Sequence, residues 1–92
     1  MNTTFNMFNG NPVLVRLKVA NVTVEYIQRA LPEARIISEN TTHTLMEVIV
    51  AGEEGILRWI FNQRQFVEVL SPQSLRERVK DSIKEMVKLY DM

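Results

Sequence analysis

The sequence predicts a single α+β domain: one four-stranded sheet with two helices on one face, and a long amphipathic helix after it. Two patterns carry this. Val13–Val19 and Leu45–Val50 repeat with period two, as half-buried strands do, while Ile56, Leu57, Ile60 and Phe61 repeat with helical period. The signals between these stretches are short. A chain of 92 residues, 46% hydrophobic and 24% charged, then suffices for one core and not for two.

Residues 1–12 read as a polar arm, rich in Asn, Thr, Gly and Pro, with Phe5, Met7 and Phe8 as its apolar anchors. The domain proper is expected over 13–92. Its first strand sets Val13, Val15, Leu17 and Val19 on one face and Leu14, Arg16 and Lys18 on the other. Asn21 is placed to cap a helix over 22–31, with Val24, Ile27 and Leu31 as its buried stripe and Pro32 as its stop. A second strand runs from Ala34 to Glu39, and the turn Asn40-Thr41-Thr42-His43 leads into the third. Gly52, Glu53 and Glu54 mark the change to a second helix, whose first-turn carboxylates suit the positive end of its dipole. Phe66–Leu70 is the fourth strand. Ser71 as N-cap and Pro72 at the first helical position start a last helix reaching about residue 90. Leu75, Val79, Ile83, Met86 and Tyr90 form its stripe. Acidic residues lie three positions from lysines beside it.

The order β-α-β-β-α-β, with right-handed crossovers, implies a ferredoxin-like sandwich carrying an additional C-terminal helix. Such a sheet has a second face. By alternation that face carries Leu14, Ile37, Leu45, Ile49, Phe66 and Leu70, interleaved with Arg16, Lys18, Arg35, Glu47 and Glu68. An apolar patch of this kind calls for a cover: the last helix folded back, or a second copy of the domain. The expected interaction surface is those six residues together with Val79, Ile83, Met86 and Tyr90. Arg16 and Lys18 are the candidate ligand-binding residues, for an anionic group.

Eleven basic and eleven acidic side chains cancel, which argues against nucleic-acid binding by bulk charge. No cysteine is present, so there is no disulfide framework and no thiolate metal site. The N-terminus has no signal-peptide pattern, and no apolar run approaches the roughly 20 residues that span a bilayer. A cytoplasmic protein without membrane association is expected. His43 is a lone turn histidine, and no carboxylate, His or Cys group converges on a metal. Glu53 and Glu54 point about 100° apart on a helix and make no acid–base pair. Gly52 and Gly55 lack the lysine and hydroxyl of a phosphate loop. Trp59 is expected at the edge of the core. No catalytic residue, metal or cofactor is expected.

Several short runs agree in order and spacing with a known family. Leu57-Arg58-Trp59, Val67-Glu68-Val69-Leu70, Pro72, Leu75-Arg76-Glu77-Arg78 and Tyr90 resemble the C-terminal extension (WCX) domain of WYL-domain transcriptional regulators, and Val13–Val19 matches its basic-interleaved first strand. The resemblance covers nearly everything from Val13. It implies the ferredoxin-like fold and a parent protein with a helix-turn-helix DNA reader first, a WYL barrel second and this domain last. It further implies a non-catalytic role in effector sensing, nucleic-acid ligands included, and in dimerisation. DNA binding would reside in the parent's N-terminal reader, which these residues do not contain. The family's glycine after the tryptophan helix is absent here, and Asn62 is the expected left-handed substitute. The expected partners are therefore a second protomer, the adjoining WYL domain and an anionic or nucleic-acid effector. A free-standing small-molecule-binding module of the same shape is the alternative, and an enzyme ranks last.

Overall fold

The computed structural model of the protein describes residues 11–90. The expected arm falls almost wholly outside them. Pro12 already belongs to the first strand. The elements are β1 (Pro12–Ala20), α1 (Val24–Ala30), β2 (Arg35–Glu39), β3 (His43–Ala51), α2 (Glu54–Asn62), β4 (Val67–Ser71) and α3 (Gln73–Leu89). Short 3-10 turns over Asn21–Thr23 and Arg64–Phe66 precede α1 and β4. All strand pairs are antiparallel, and the sheet order is β2-β3-β1-β4.

The strand alternation is borne out where it is longest. Along β1, Val15, Leu17 and Val19 are buried, while Leu14, Arg16 and Lys18 are exposed. Met46, Val48 and Val50 of β3 and Val67 and Val69 of β4 share the buried face. Against it pack Ile27 of α1 with Leu31 just beyond, Ile56 and Ile60 of α2, and Leu75 of α3, in one continuous cluster. Each such side chain contributes about 1.5–3 kcal/mol by leaving water. Trp59 lies partly buried at the rim of the cluster, as expected.

The ends of the elements depart from expectation for local reasons. Asn21 does not cap α1, whose N-cap position is held by Thr23. Its amide instead donates to Asn40 O (2.9 Å), and its Oδ1 accepts from the buried Thr44 hydroxyl (2.7 Å). Thus it ties the end of β1 to the β2–β3 hairpin. In that hairpin the Asn40 Oδ1 accepts from the amides of Thr42 and His43, at 2.9 and 2.8 Å. Ser71 is the last residue of β4, not a cap. Pro72 holds the N-cap position of α3, and the Ser71–Pro72 bond is cis. The residue with left-handed backbone after α2 is Arg64 (φ 56°), not Asn62. Its guanidinium lies over the Phe66 ring, 5.3 Å from the centroid.

The last helix is anchored at one end. The Glu53 and Glu54 carboxylates at the start of α2 both accept from the Arg78 guanidinium, and Glu53 also accepts from the Ser74 hydroxyl. Arg76 donates to Glu68 and to the Val69 carbonyl, both at 2.7 Å. Burial then falls along the stripe: Leu75 is fully buried, Val79 partly, and Ile83 and Met86 are 47% and 45% exposed. Two of the expected i, i+3 pairs form on its wet side, Lys80–Glu77 and Lys88–Glu85.

Two measurements check this account. Leu75→Ala is expected to cost about 2–5 kcal/mol of unfolding free energy, and Ile83→Ala less than about 1 kcal/mol, both read by chemical denaturation. Arg64→Val is expected to unfold more easily than Arg64→Gly by about 1–2 kcal/mol, because only glycine accepts the left-handed backbone without strain.

Candidate functional site

The sheet face turned away from the core is open among the described residues. The last helix does not fold back over it: α3 lies with α2 and the β4 strand, on the side of the core. On the open face the strand register sets residues in rows. Leu14 stands opposite Ile49, Arg16 opposite Glu47, and Lys18 opposite Leu45, while Glu47 also stands opposite Arg35. Leu14 is exposed, and Ile49 and Leu45 are half-buried. Leu70 borders a hollow with Lys18, Leu45 and Ser38, so it belongs to the same face.

Two expected members need correction. Phe66 is not on the sheet. It ends the 3-10 turn before β4 and lines a hollow with Val22, Tyr26 and Arg64. Ile37 sits where the register slips: Ile36 pairs with Met46 and Ser38 with Leu45, leaving Ile37 as the extra residue of a bulge. Alternation therefore cannot assign it to a face, and it is 44% exposed on the sheet's edge strand.

The centre of the open face is ionic. The Glu47 side chain is only 7% exposed, yet it lies on the side away from the core. It survives there because cations flank it from both neighbouring strands. The Arg35 guanidinium donates to Oε1 and Arg16 Nε to Oε2, the latter at 3.4 Å. The Arg35 hydrogen bond foremost holds the Glu47 carboxyl below the usual glutamate range, against desolvation that pushes it up; Arg16 adds to the lowering. The arginines themselves stay accessible, with side chains 54% and 75% exposed for Arg16 and Arg35. Lys18 stands apart. Its in-register neighbour Glu68 bonds Arg76 instead, leaving Lys18 as the one cation of this face without an ion-pair partner among the described residues.

Arg16 and Lys18 thus lie on one face as expected, but they are not a pair. Arg16 is joined to Arg35 through Glu47, and Arg35 was legible only as part of the interleaved charge. Its place follows from the β2–β3 register, which a bulge makes hard to read from sequence. The helical part of the expected surface is a separate place. Val79, Ile83 and Met86 line a groove of about 420 Å³ with Ile60, Phe61 and Val67, on the α2 side. Tyr90, 74% exposed, lies at the far end of the helix. The sequence signal for this groove was present in the α2 stripe, since Phe61 flanks Ile60 toward α3.

Among the described residues, no three His, Cys, Asp or Glu side chains are grouped to hold a metal ion. His43 opens β3, and its Nδ1 lies 2.9 Å from the Thr42 hydroxyl. No described helix is long and apolar enough to cross a membrane. Compared with known protein families, residues 11–87 match the model of the WCX domain. No curated protein matches the chain.

Because Glu47 titrates lower when folded than when unfolded, the stability it contributes is present above the ordinary glutamate pKa. It is lost as pH falls through the lowered, folded value. Glu47→Gln is therefore expected to flatten the acid side of a plot of melting temperature against pH, with little change in its slope between pH 6 and 8. Thermal scans over a pH series check this.

Proposed function

The chain belongs to the WCX domain family, and we propose that it acts as the C-terminal regulatory domain of a WYL-type transcriptional regulator, sensing an anionic effector and pairing with a second protomer. The fold reading that goes with this is ferredoxin-like. It is supported by the sheet order β2-β3-β1-β4 and by helices that follow β1 and β3. The regulatory character of the family favours a non-catalytic role.

The single observation that carries the effector reading is the open sheet face. Its apolar rows, Leu14 with Ile49 and Leu45 with Leu70, flank three accessible cations, Arg16, Lys18 and Arg35. The acid that could cancel two of them, Glu47, is buried beneath their guanidinium groups. An incoming anion therefore meets the arginines' outer N–H groups before it meets the Glu47 carboxylate, with Lys18 on the same face. Guanidinium forks suit phosphate and carboxylate groups, and the leucine and isoleucine rows suit the apolar body of a ligand or of the adjoining WYL domain. DNA reading is assigned to the rest of the parent protein.

The test is a titration of this chain with a short oligothymidylate at low salt, followed by backbone amide NMR. Shifts are expected on β1 and β3 around Arg16, Lys18 and Glu47, with Lys18→Glu weakening binding about tenfold and added salt weakening it further. Shifts confined to the helical side, or affinity unchanged in Lys18→Glu, reject the role of this face.

A further inference from the structure

We propose that the hollow between the turn leaving β1 and the turn entering β4 binds a small anion built on a flat ring, a heterocycle with an N–H and a carboxylate or phosphate arm. The site shares no residue with the open sheet face and goes beyond the function proposed above.

Strand pairing brings the two turns together. β1 and β4 run antiparallel, and Val19 near the end of β1 stands opposite Val67 at the start of β4. The 3-10 turns over Asn21–Thr23 and Arg64–Phe66 therefore meet at one end of the sheet. Between them lies a hollow of about 330 Å³. The first turn supplies Val22 and Thr23, with Tyr26 of α1 beyond them; the second supplies Arg64 and Phe66, with Gln63 before them. Val22 and Tyr26 are 83% and 54% exposed. Two large side chains left to water beside the Phe66 ring suit a flat apolar body.

Two residues of the second turn call for a ligand. Arg64 has left-handed backbone (φ 56°), which glycine accepts freely and arginine does not. That conformation costs stability, and no ion pair among the described residues compensates it. The guanidinium is instead held over the Phe66 ring, 5.3 Å from the centroid, which orders it but leaves its charge uncancelled. A strained residue lining a cleft is a common feature of binding sites. Gln63 is the second. It is 7% exposed, and its Nε2 donates to the Trp59 carbonyl at 3.2 Å. A carbonyl only accepts, so this bond fixes which way the amide points. Its Oε1 then has no donor among the described residues.

The chemistry of the ligand follows from these groups. The guanidinium takes a carboxylate or phosphate, and the Gln63 oxygen takes an N–H. Tyr26, Phe66 and Val22 take the faces and edge of the ring. A metal cation is not suited, since Arg64 is the one charged residue lining the hollow. The hollow is open, so binding to this domain is weak, with a dissociation constant of about 1 mM.

The experiment titrates the whole 92-residue chain and follows its backbone amides by NMR. Indolepropionate and guanosine monophosphate carry ring, N–H and acid together; indole and inorganic phosphate carry the parts. At least one combined probe is expected to bind about tenfold tighter than either of its parts, with shifts on Thr23, Tyr26, Gln63 and Arg64. Binding of indolepropionate alone identifies a carboxylate ligand, and of guanosine monophosphate alone a phosphate ligand; either supports the site. Arg64→Gly keeps the backbone and removes the guanidinium. It is expected to weaken the combined probe about tenfold, leave indole unchanged and melt no lower than the unaltered chain. Arg64→Lys is expected to recover part of the binding. Tyr26→Ala, at an exposed position, is expected to weaken indole and the combined probe alike. Combined probes that bind no better than their parts up to about 10 mM overturn the site, as does binding unchanged in Arg64→Gly. Shifts confined to the open face around Arg16 and Lys18 overturn it too, and leave the proposed effector face standing.

Discussion

Everything in this domain depends on a single sheet whose helices all bury on one side. Ile27, Leu31, Ile56, Ile60 and Leu75 join the inward residues of β1, β3 and β4 in one cluster. A chain of this length fills one such core and no more. The other face of the sheet must then be stable in contact with water, although backbone alternation still places leucine and isoleucine on it. The protein meets that constraint by making the middle of the open face ionic. Arg16, Glu47 and Arg35 stand in a row across three strands, with Leu14 and Ile49 on one side of the row and Leu45 and Leu70 on the other.

The ionic row also has a chemical consequence. A carboxylate between two arginines is compensated, so it costs little to keep it nearly buried, and it in turn fixes both guanidinium groups at the sheet surface. Side chains as long as arginine lose considerable entropy when they are ordered on binding. Here Glu47 already orders part of each arginine, while the rest of both side chains stays exposed. Lys18 has no ion-pair partner among the described residues. The face therefore combines two arginines tied to one carboxylate with one lysine outside that row.

How much of this could be read from the sequence depends on whether a pattern is local. The face of each residue in β1 and β3 was legible, because nine-residue strands without bulges keep strict alternation. The short edge strands were less so. One extra residue at Ile37, and another register slip beside Leu70, shift the alternation in a way that residue type does not announce. The left-handed position fell on Arg64 and not on Asn62, because α2 still includes Asn62 and its cap is the next residue, Gln63. Glu53 and Glu54 were read as a helix start, which they are, but their bond to Arg78 joins residues more than twenty positions apart and belongs to tertiary packing. In the same way Arg16 and Lys18 were legible as residues of one face, while the partner that separates their roles was not.

The last helix shows why periodicity alone overstates burial. Its stripe from Leu75 to Tyr90 keeps helical spacing throughout, so the sequence offers no reason for one end to differ from the other. The structure supplies that reason. Arg76 and Arg78 are both used to dock the first two turns, onto β4 and onto the start of α2, and the helix then extends past the end of its support. α2 ends at Asn62, and beyond it only Arg64, Gln65 and Val67 remain to meet Ile83 and Met86. An amphipathic pattern maintained over such an overhang buries only about half of Ile83 and Met86. Its apolar side is a second surface, set apart from the ionic face by the thickness of the core, so contact at one leaves the other accessible. The exposed apolar side of α3 therefore follows from the mismatch in length between α2 and α3.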